Sequence, residues 1–253
     1  MTTDSSTLPS FNGRPVPWIT RWTGELSPER NDYGVEVAKD GEWRLAYPDG
    51  HSVRDDRGIL WQREGLGRKG EPMWADVSTF RQRAAMKRGL CQVCGTTITE
   101  RPYRFLIPRD GMEQYDADTW LTMQAPVCIE CVPLALKLCP ALKRDGYQLL
   151  RVLDYQAWGV LGQVTYRDER GFHKIQATVC FDTSEYGPDF RLSHVMAQQV
   201  VIKLDKYVVE EVVAGRVNRS RESWEELLHP EQVLNPSPGE VWNALSQNLR
   251  SKS

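Results

Sequence analysis

The sequence predicts an α+β protein in which antiparallel β-rich parts lie around a small cysteine-rich module and a long helix follows in the C-terminal half. Two Cys-x-x-Cys pairs predict the module. Short apolar alternations separated by Asp-Gly dipeptides predict the antiparallel strands. An apolar stripe with three-four spacing over residues 192–213 predicts the long helix. The 253 residues are enough for one or two domains.

Composition limits the classes of protein to which this chain can belong. It is 40% hydrophobic and has a formal net charge of -2, so a nucleic-acid contact would need a local basic patch rather than the whole surface. Its first residues offer neither the basic nor the apolar region of a signal peptide. No apolar run reaches the roughly 18 residues that cross a bilayer. We therefore expect a soluble, cytoplasmic protein without membrane contact.

The N-terminal part is predicted to be rich in β-structure. Residues 1–15 are polar and are expected to form a flexible arm, because they offer too little apolar surface to offset the entropy of ordering. Residues 16–75 are expected to form the β-rich part. Within it, Tyr33–Val37 and Trp43–Tyr47 alternate apolar and polar positions on either side of Asp40-Gly41, a dipeptide that favours hairpin turns.

Residues 76–146 are predicted to form the cysteine-rich module, which begins with a helix over residues 78–88. Asp76 or Ser78 can cap the N-terminus of this helix, and Gly89 stands where a left-handed residue commonly ends one. The apolar residues expected on its buried face are Phe80, Ala84 and Ala85.

Four cysteines of the module have the spacing of zinc ligands; they are Cys91, Cys94, Cys128 and Cys131. Two residues separate the sulfurs of each pair, so one turn can bring both onto one ion, and two pairs complete a tetrahedral site. The alternatives are two disulfides or four buried apolar thiols, but disulfide frameworks suit short secreted chains. We expect one structural zinc ion with no open coordination position.

The order of elements around these cysteines resembles the treble-clef zinc fold. Tyr103–Ile107 and Thr119–Met123 are predicted to be two strands joined by a loop. Cys131–Leu138 is predicted to open a helix, because Pro133 is tolerated in a first helical turn. A cysteine pair on a turn, a β-hairpin and a second pair at a helix start is the arrangement of that fold. The resemblance covers about 50 residues of the chain.

Among treble clefs, Leu90-Cys-Gln-Val-Cys-Gly95 most resembles the opening of the zinc-bearing HNH endonucleases. Those nucleases carry a catalytic histidine on the first hairpin strand, where this chain has Arg104–Arg109. None of the 4 histidines lies between the cysteine pairs, so the resemblance implies a degenerate clef without the general base of a nuclease. Through Trp18–Trp22 and Arg81–Met86, the whole chain also resembles uncharacterised proteins of actinobacteria and their phages.

Basic residues flank the module and are the candidate contacts to nucleic acid. The candidates are Arg81, Arg83, Lys87, Arg88, Arg104 and Arg109, with Arg101 among them in the sequence. Such a cluster can hold phosphates. The alternative is a solvated helix face, whose charge is balanced by the acidic residues that follow directly in the sequence.

Residues 147–215 are predicted to form a sheet followed by the long helix. Three antiparallel strands are expected, at Tyr147–Leu153, Trp158–Tyr166 and Ile175–Phe181. Turns at Asp154-Tyr155 and Arg170-Gly171 would join them. The helix is expected from Leu192 to Val213, with its apolar stripe on the core.

Residues 216–253 are predicted to form a helical tail, because Ser223 and Ser237 each begin a capping box. The apolar sides of these helices can pack on the body of the protein or contact a protein partner. The function predicted from the sequence is therefore a non-catalytic, zinc-stabilised binding protein. It would contact nucleic acid through the basic residues, or a protein partner through its C-terminal helices.

An enzyme with a purely structural zinc is the alternative class. Its active site would lie in a cleft between the β-rich parts, and the candidate residues are His51, Asp55, Asp56 and His173. They specify no reaction type. Cys139 and Cys180 lie outside the zinc set and belong to no Cys-His signature of a nucleophile, so we interpret both as structural.

Overall fold

The computed structural model describes residues 8–25, 32–52, 54–109, 111, 113–114, 120–186 and 188–214. The strands in this part of the chain are β1 (Ser10–Phe11), β2 (Arg14–Pro15), β3 (Thr20–Trp22), β4 (Gly34–Val37), β5 (Trp43–Ala46), β6 (Leu60–Trp61), β7 (Pro72–Val77), β8 (Tyr103–Pro108), β9 (Glu113–Gln114), β10 (Trp120–Thr122), β11 (Gly146–Asp168), β12 (Gly171–Cys180) and β13 (Val195–Ala214). The helices are α1 (Thr79–Arg88), α2 (Val132–Leu138) and α3 (Pro140–Asp145).

The described residues divide into two compact units. Unit 1 contains residues 8–25, 66–158 and 201–214, and unit 2 contains residues 32–65 and 159–200, with the same gaps. The long strands β11 and β13 each contribute residues to both units.

Unit 1 is built from antiparallel strand pairs and the three helices. β3 pairs with β7, β8 pairs with the first part of β11, and β10 pairs with the second part of β13. Apolar residues of these strands face inward, and Phe105, Ile107, Leu150, Ile202 and Leu204 are all buried. Burial of these side chains is the main term that stabilises the unit.

Helix α1 confirms the predicted capping signals. The Ser78 hydroxyl accepts a hydrogen bond from the Arg81 amide at 3.3 Å, and Gly89 ends the helix with a φ of 63°. A Cβ at Gly89 would lie 2.5 Å from the hydroxyl of Tyr103. Glycine is therefore favoured there both by the positive φ and by the close approach of this side chain. The expected burial of Phe80 is wrong, because its side chain is 56% exposed.

Unit 2 contains two hairpins. The β4–β5 hairpin confirms the turn predicted at Asp40, whose carboxylate accepts a hydrogen bond from the Glu42 amide at 3.1 Å. The second part of β11 and β12 form the other hairpin, which confirms the turn at Arg170-Gly171. Near the first hairpin, the ring of Trp43 stacks on the buried His194 at 3.5 Å between ring centroids.

The predicted long helix in the C-terminal half is wrong, and with it the α+β class. Residues 195–214 form the 20-residue strand β13, and the longest described helix is α1 with 10 residues. The segment is rich in valine and isoleucine, whose branched side chains favour the extended backbone. Its ladder partners β6, β10 and β11 lie far away in the sequence, so a local three-four pattern could not reveal them.

Two further expectations are wrong at the level of strand pairing. The chain does not turn at Asp154-Tyr155, because this dipeptide lies inside β11, a single strand of 23 residues. The Tyr155 hydroxyl donates a hydrogen bond to the Met86 carbonyl at 3.1 Å, and this long-range contact fixes the extended strand. The two strands predicted as a hairpin between the cysteine pairs, β8 and β10, have other partners among the described residues: β8 pairs with β11, and β10 pairs with β9 and β13. The predicted tail, residues 216–253, lies outside the described residues.

Candidate metal centre

The first cysteine pair lies on a tight turn directly after α1. The Cys91 amide donates to the Thr96 carbonyl and the Gly95 amide donates to the Cys91 carbonyl, each at 2.8 Å. Gly95 has a φ of 78°, and a Cβ there would lie 2.6 Å from the indole ring of Trp18. The Trp18 amide in turn donates to the Val93 carbonyl at 2.8 Å, so the turn is anchored to the segment that precedes β3.

The second cysteine pair lies at the start of the helical segment, as the sequence predicts. Cys128 precedes a 3-10 turn over Ile129–Cys131, which leads directly into α2. The Cys131 amide donates to the Cys128 carbonyl at 3.0 Å. The Gln92 amide donates to the Pro126 carbonyl at 2.9 Å, and this bond joins the two cysteine turns.

The four sulfur atoms form one cluster with the dimensions of a zinc site. The Sγ atoms of Cys91, Cys94, Cys128 and Cys131 all lie within 4.8 Å of one another. A tetrahedral site with zinc–sulfur bonds of about 2.3 Å places its sulfurs about 3.8 Å apart. The Sγ atoms of Cys94 and Cys128 are 3.9 Å apart, which is too long for a disulfide and close to the zinc value. The residues present therefore fit a zinc ion.

Hydrogen bonds around the cluster favour thiolates and so favour a bound cation. The Cys128 amide donates to Sγ of Cys91 at 3.4 Å, and the Thr96 hydroxyl lies 2.9 Å from Sγ of Cys94. Four negative charges at this spacing repel one another, and a divalent ion allows all four thiols to ionise. The role of Thr96 was not predicted from the sequence, although a hydroxyl two residues after a ligand is a usable signal.

The cluster belongs to the hydrophobic core of unit 1. Cys91 and Cys131 are buried, and they pack in one apolar cluster with Val93, Leu106, Val127, Val132, Ala135 and Leu149. A site closed by four protein ligands within a core has no position for a substrate. The geometry therefore fits a structural metal ion and not a catalytic one. Cys139 lies between α2 and α3, outside the four-sulfur cluster.

Arg81, one of the predicted nucleic-acid contacts, is buried inside unit 1. Its guanidinium donates to both carboxylate oxygens of Glu25, at 2.7 and 2.6 Å, and to the Thr20 carbonyl at 2.7 Å. Burial by itself would raise the pKa of Glu25, but the hydrogen bonds from Arg81 and from the Trp22 amide hold that pKa below its usual range. The charge of Arg81 is thus directed at Glu25 and not at solvent.

Arg104 also faces a carboxylate of its own unit. Its Nε lies 3.4 Å from the carboxylate of Glu210, which also lies 3.6 Å from Nε of Arg151. Only 23% of the Arg104 side chain is exposed. Arg83 is half-buried on α1, whereas Arg109 is exposed after the end of β8.

Three other basic residues are exposed near the C-terminal end of α1. Lys87 and Arg88 are exposed in the last turn of α1. The exposed Arg101 guanidinium lies 3.8 Å above the ring of Tyr103, whose hydroxyl approaches Gly89 at the end of that helix. Arg101 therefore lies near the C-terminal end of α1, where Lys87 and Arg88 are exposed, and we call these three residues the basic surface.

The candidate enzyme residues all lie in unit 2, where each makes local contacts. Asp55 accepts hydrogen bonds from the amides of residues 57 and 59, and its other carboxylate oxygen accepts one from the Trp61 indole at 3.2 Å. His51 contacts the backbone of residue 49 through its ring at 2.8 Å. Asp56 is exposed and 3.5 Å from the Arg57 guanidinium, whereas His173 pairs with the Asp168 carboxylate at 2.8 Å. These contacts are the local interactions of residues in turns and in a hairpin.

No protein-family model, curated protein or solved structure gives a significant match to this chain. The resemblance to HNH endonucleases and to actinobacterial and phage proteins thus stays a prediction. Among the described residues, no helix is both long and apolar enough to cross a bilayer.

Proposed function

We propose that this protein is a non-catalytic, zinc-stabilised binding protein that contacts nucleic acid through the basic surface. The observation that carries the proposal is the position of this surface beside the metal site. Lys87 and Arg88 stand at the end of α1, and the next two residues lead into the first ligand, Cys91. A metal ion that fixes this turn also fixes the end of the helix, and so holds the cations in place.

The chemistry of the basic surface suits phosphates. The Arg101 guanidinium lies over an aromatic ring, and this contact restricts the rotamers of the side chain. Among the described residues, none of the three cations is in an ion pair. Long cationic side chains without internal ion pairs bind phosphates by releasing counterions, and such binding weakens steeply with salt.

The test compares the wild type with a variant that lacks the basic surface, Lys87→Ala/Arg88→Ala/Arg101→Ala. Fluorescence anisotropy with a labelled 20-base-pair DNA duplex is measured from 50 to 200 mM NaCl. We expect salt-sensitive binding by the wild type. The logarithmic salt slope of the variant should be smaller by about 1 for each phosphate-binding cation that the substitutions remove.

The matched control is the variant Lys39→Ala/Arg170→Ala/Lys206→Ala, which removes the same formal charge from three other exposed residues. The control is expected to bind almost as the wild type does. Equal weakening in the two triple variants would show that net charge alone matters, and absence of wild-type binding to DNA or RNA would overturn the proposal.

A further inference from the structure

A groove on unit 1 combines an exposed aromatic ring, apolar walls and cations. Its volume is about 630 Å³, which lies in the range of ligand-binding clefts. Trp74 of β7 lines it with 44% of its surface exposed, and Leu134, Leu138 and Pro140 supply further apolar wall.

Three exposed cations line the same groove. They are Arg14 of β2, Lys137 of α2 and Lys143 of α3. The Lys143 ammonium donates to the Lys137 carbonyl at 2.7 Å, so this cation lies at the C-terminal end of α2. Within the described part of the chain, the groove has no carboxylate in its lining, and none of these cations forms an ion pair. The charge of the groove is complementary to a polyanion.

We propose that this groove binds single-stranded nucleic acid, with a base stacked on Trp74 and adjacent phosphates on Arg14, Lys137 and Lys143. This inference rests on the proposed function and specifies the form of nucleic acid that the protein prefers. An exposed aromatic ring among cations is the arrangement by which proteins hold single strands, because every base offers a π-face. A duplex keeps its bases stacked inside the helix and offers none of those faces to Trp74.

Charge and aromaticity together favour this occupant over an acidic peptide. The leucine and proline walls would suit either a base or the apolar side chain of a peptide. An acidic peptide carries charge only where Asp or Glu side chains occur, whereas a nucleic-acid strand carries one phosphate per nucleotide and can meet cations on both sides of a stacked base. The groove presents its cations from three separate elements, so a ligand with charges along its length is matched best.

The experiment measures anisotropy with fluorescein-labelled dT20 and with the 20-base-pair duplex, using Trp74→Leu and Trp74→Phe. The leucine variant retains an apolar side chain and removes the ring, whereas phenylalanine retains a ring. We expect Trp74→Leu to weaken dT20 binding about tenfold, Trp74→Phe to retain most of it, and neither to change duplex binding. Circular dichroism and zinc content control for folding of both variants.

The outcomes separate this inference from the proposed function. If binding is salt-sensitive and depends on the basic surface but is unchanged by substitution of Trp74, the groove does not bind nucleic acid. The proposed function would then still hold. Equal effects of leucine and phenylalanine at residue 74 would exclude stacking. An acidic leucine-rich peptide whose binding needs Trp74, with dT20 binding unaffected, would assign the groove to a protein partner. Wild-type protein that binds neither oligonucleotide would overturn both proposals.

Discussion

Glu25→Gln is expected to be among the most damaging single substitutions in unit 1. The Glu25 carboxylate is 1% exposed and accepts hydrogen bonds from the Arg81 guanidinium through both oxygens, at 2.7 and 2.6 Å. It also accepts from the amides of Trp22 and Arg68, at 2.9 and 3.3 Å. Glutamine keeps the size and one acceptor oxygen, but it removes the charge that faces a buried guanidinium.

The magnitude follows from the burial of both partners. The Arg81 side chain is 7% exposed, so its charge cannot recover solvation when the carboxylate is removed. Removing one partner of a buried ion pair typically costs about 3 to 5 kcal/mol, because the other charge stays buried and uncompensated. Arg81→Met is expected to cost a similar amount, since it leaves the carboxylate buried instead.

The double variant Glu25→Gln/Arg81→Met tests the cause. It removes both charges of the buried pair, while the glutamine oxygen can still accept a backbone hydrogen bond. We expect it to be more stable than the sum of the two single effects predicts, by about 2 kcal/mol. The free energy of unfolding is measured by urea denaturation, followed by circular dichroism and tryptophan fluorescence.

Arg88→Met is the matched control, because Arg88 lies on the same helix and is exposed. It is expected to change the free energy of unfolding by less than about 0.5 kcal/mol. A destabilisation below about 1 kcal/mol for Glu25→Gln, or strict additivity in the double variant, would refute the reasoning from the buried pair.

Three other predictions concern the metal site, pH and packing. Cys131→Ser is expected to lower the zinc content from one ion per chain to almost none and to lower the melting temperature, whereas Cys139→Ser keeps the ion; elemental analysis and thermal unfolding measure both. Burial lowers the pKa of His194 from 6.5 to about 4, so the unfolded chain takes up its proton first as the pH falls. The contribution of neutral His194 to the free energy of unfolding is therefore fully present above pH 6.5 and is lost as the pH falls through 4, by about 3 kcal/mol in all. Urea unfolding at several pH values should show that His194→Phe lacks this dependence. Gly95→Ala is expected to reduce zinc retention against a chelator, because its Cβ would lie 2.6 Å from an indole ring and its φ is 78°; unchanged retention would contradict the described turn.

Local signals predicted the parts of the site that depend on neighbouring residues. The spacing of Cys91, Cys94, Cys128 and Cys131 predicted the four-sulfur cluster, because two residues between sulfurs suffice to form each half. Ser78 and Gly89 predicted both ends of α1, since caps act within one turn. Asp40-Gly41 predicted the β4–β5 hairpin, because a tight turn also depends on neighbouring residues.

Long-range contacts decided what the sequence pattern left ambiguous. A segment with Val195, Val200 and Leu204 fits a helical stripe as well as a buried strand, and its pairing with the distant strands β6, β10 and β11 makes it extended. The charge of Arg81 is neutralised by Glu25, which lies 56 residues away in the sequence, so the pattern of basic residues alone could not separate it from Lys87.

By itself, the sequence determined the four clustered cysteines, the caps of α1 and the turns at Asp40 and at Arg170-Gly171, because each depends largely on residues only a few positions apart. The tertiary structure decided the strand partners, the pairing of buried charges and the groove beside Trp74. These features depend on which distant segments meet, and that choice is made by the burial of the whole core rather than by any local pattern.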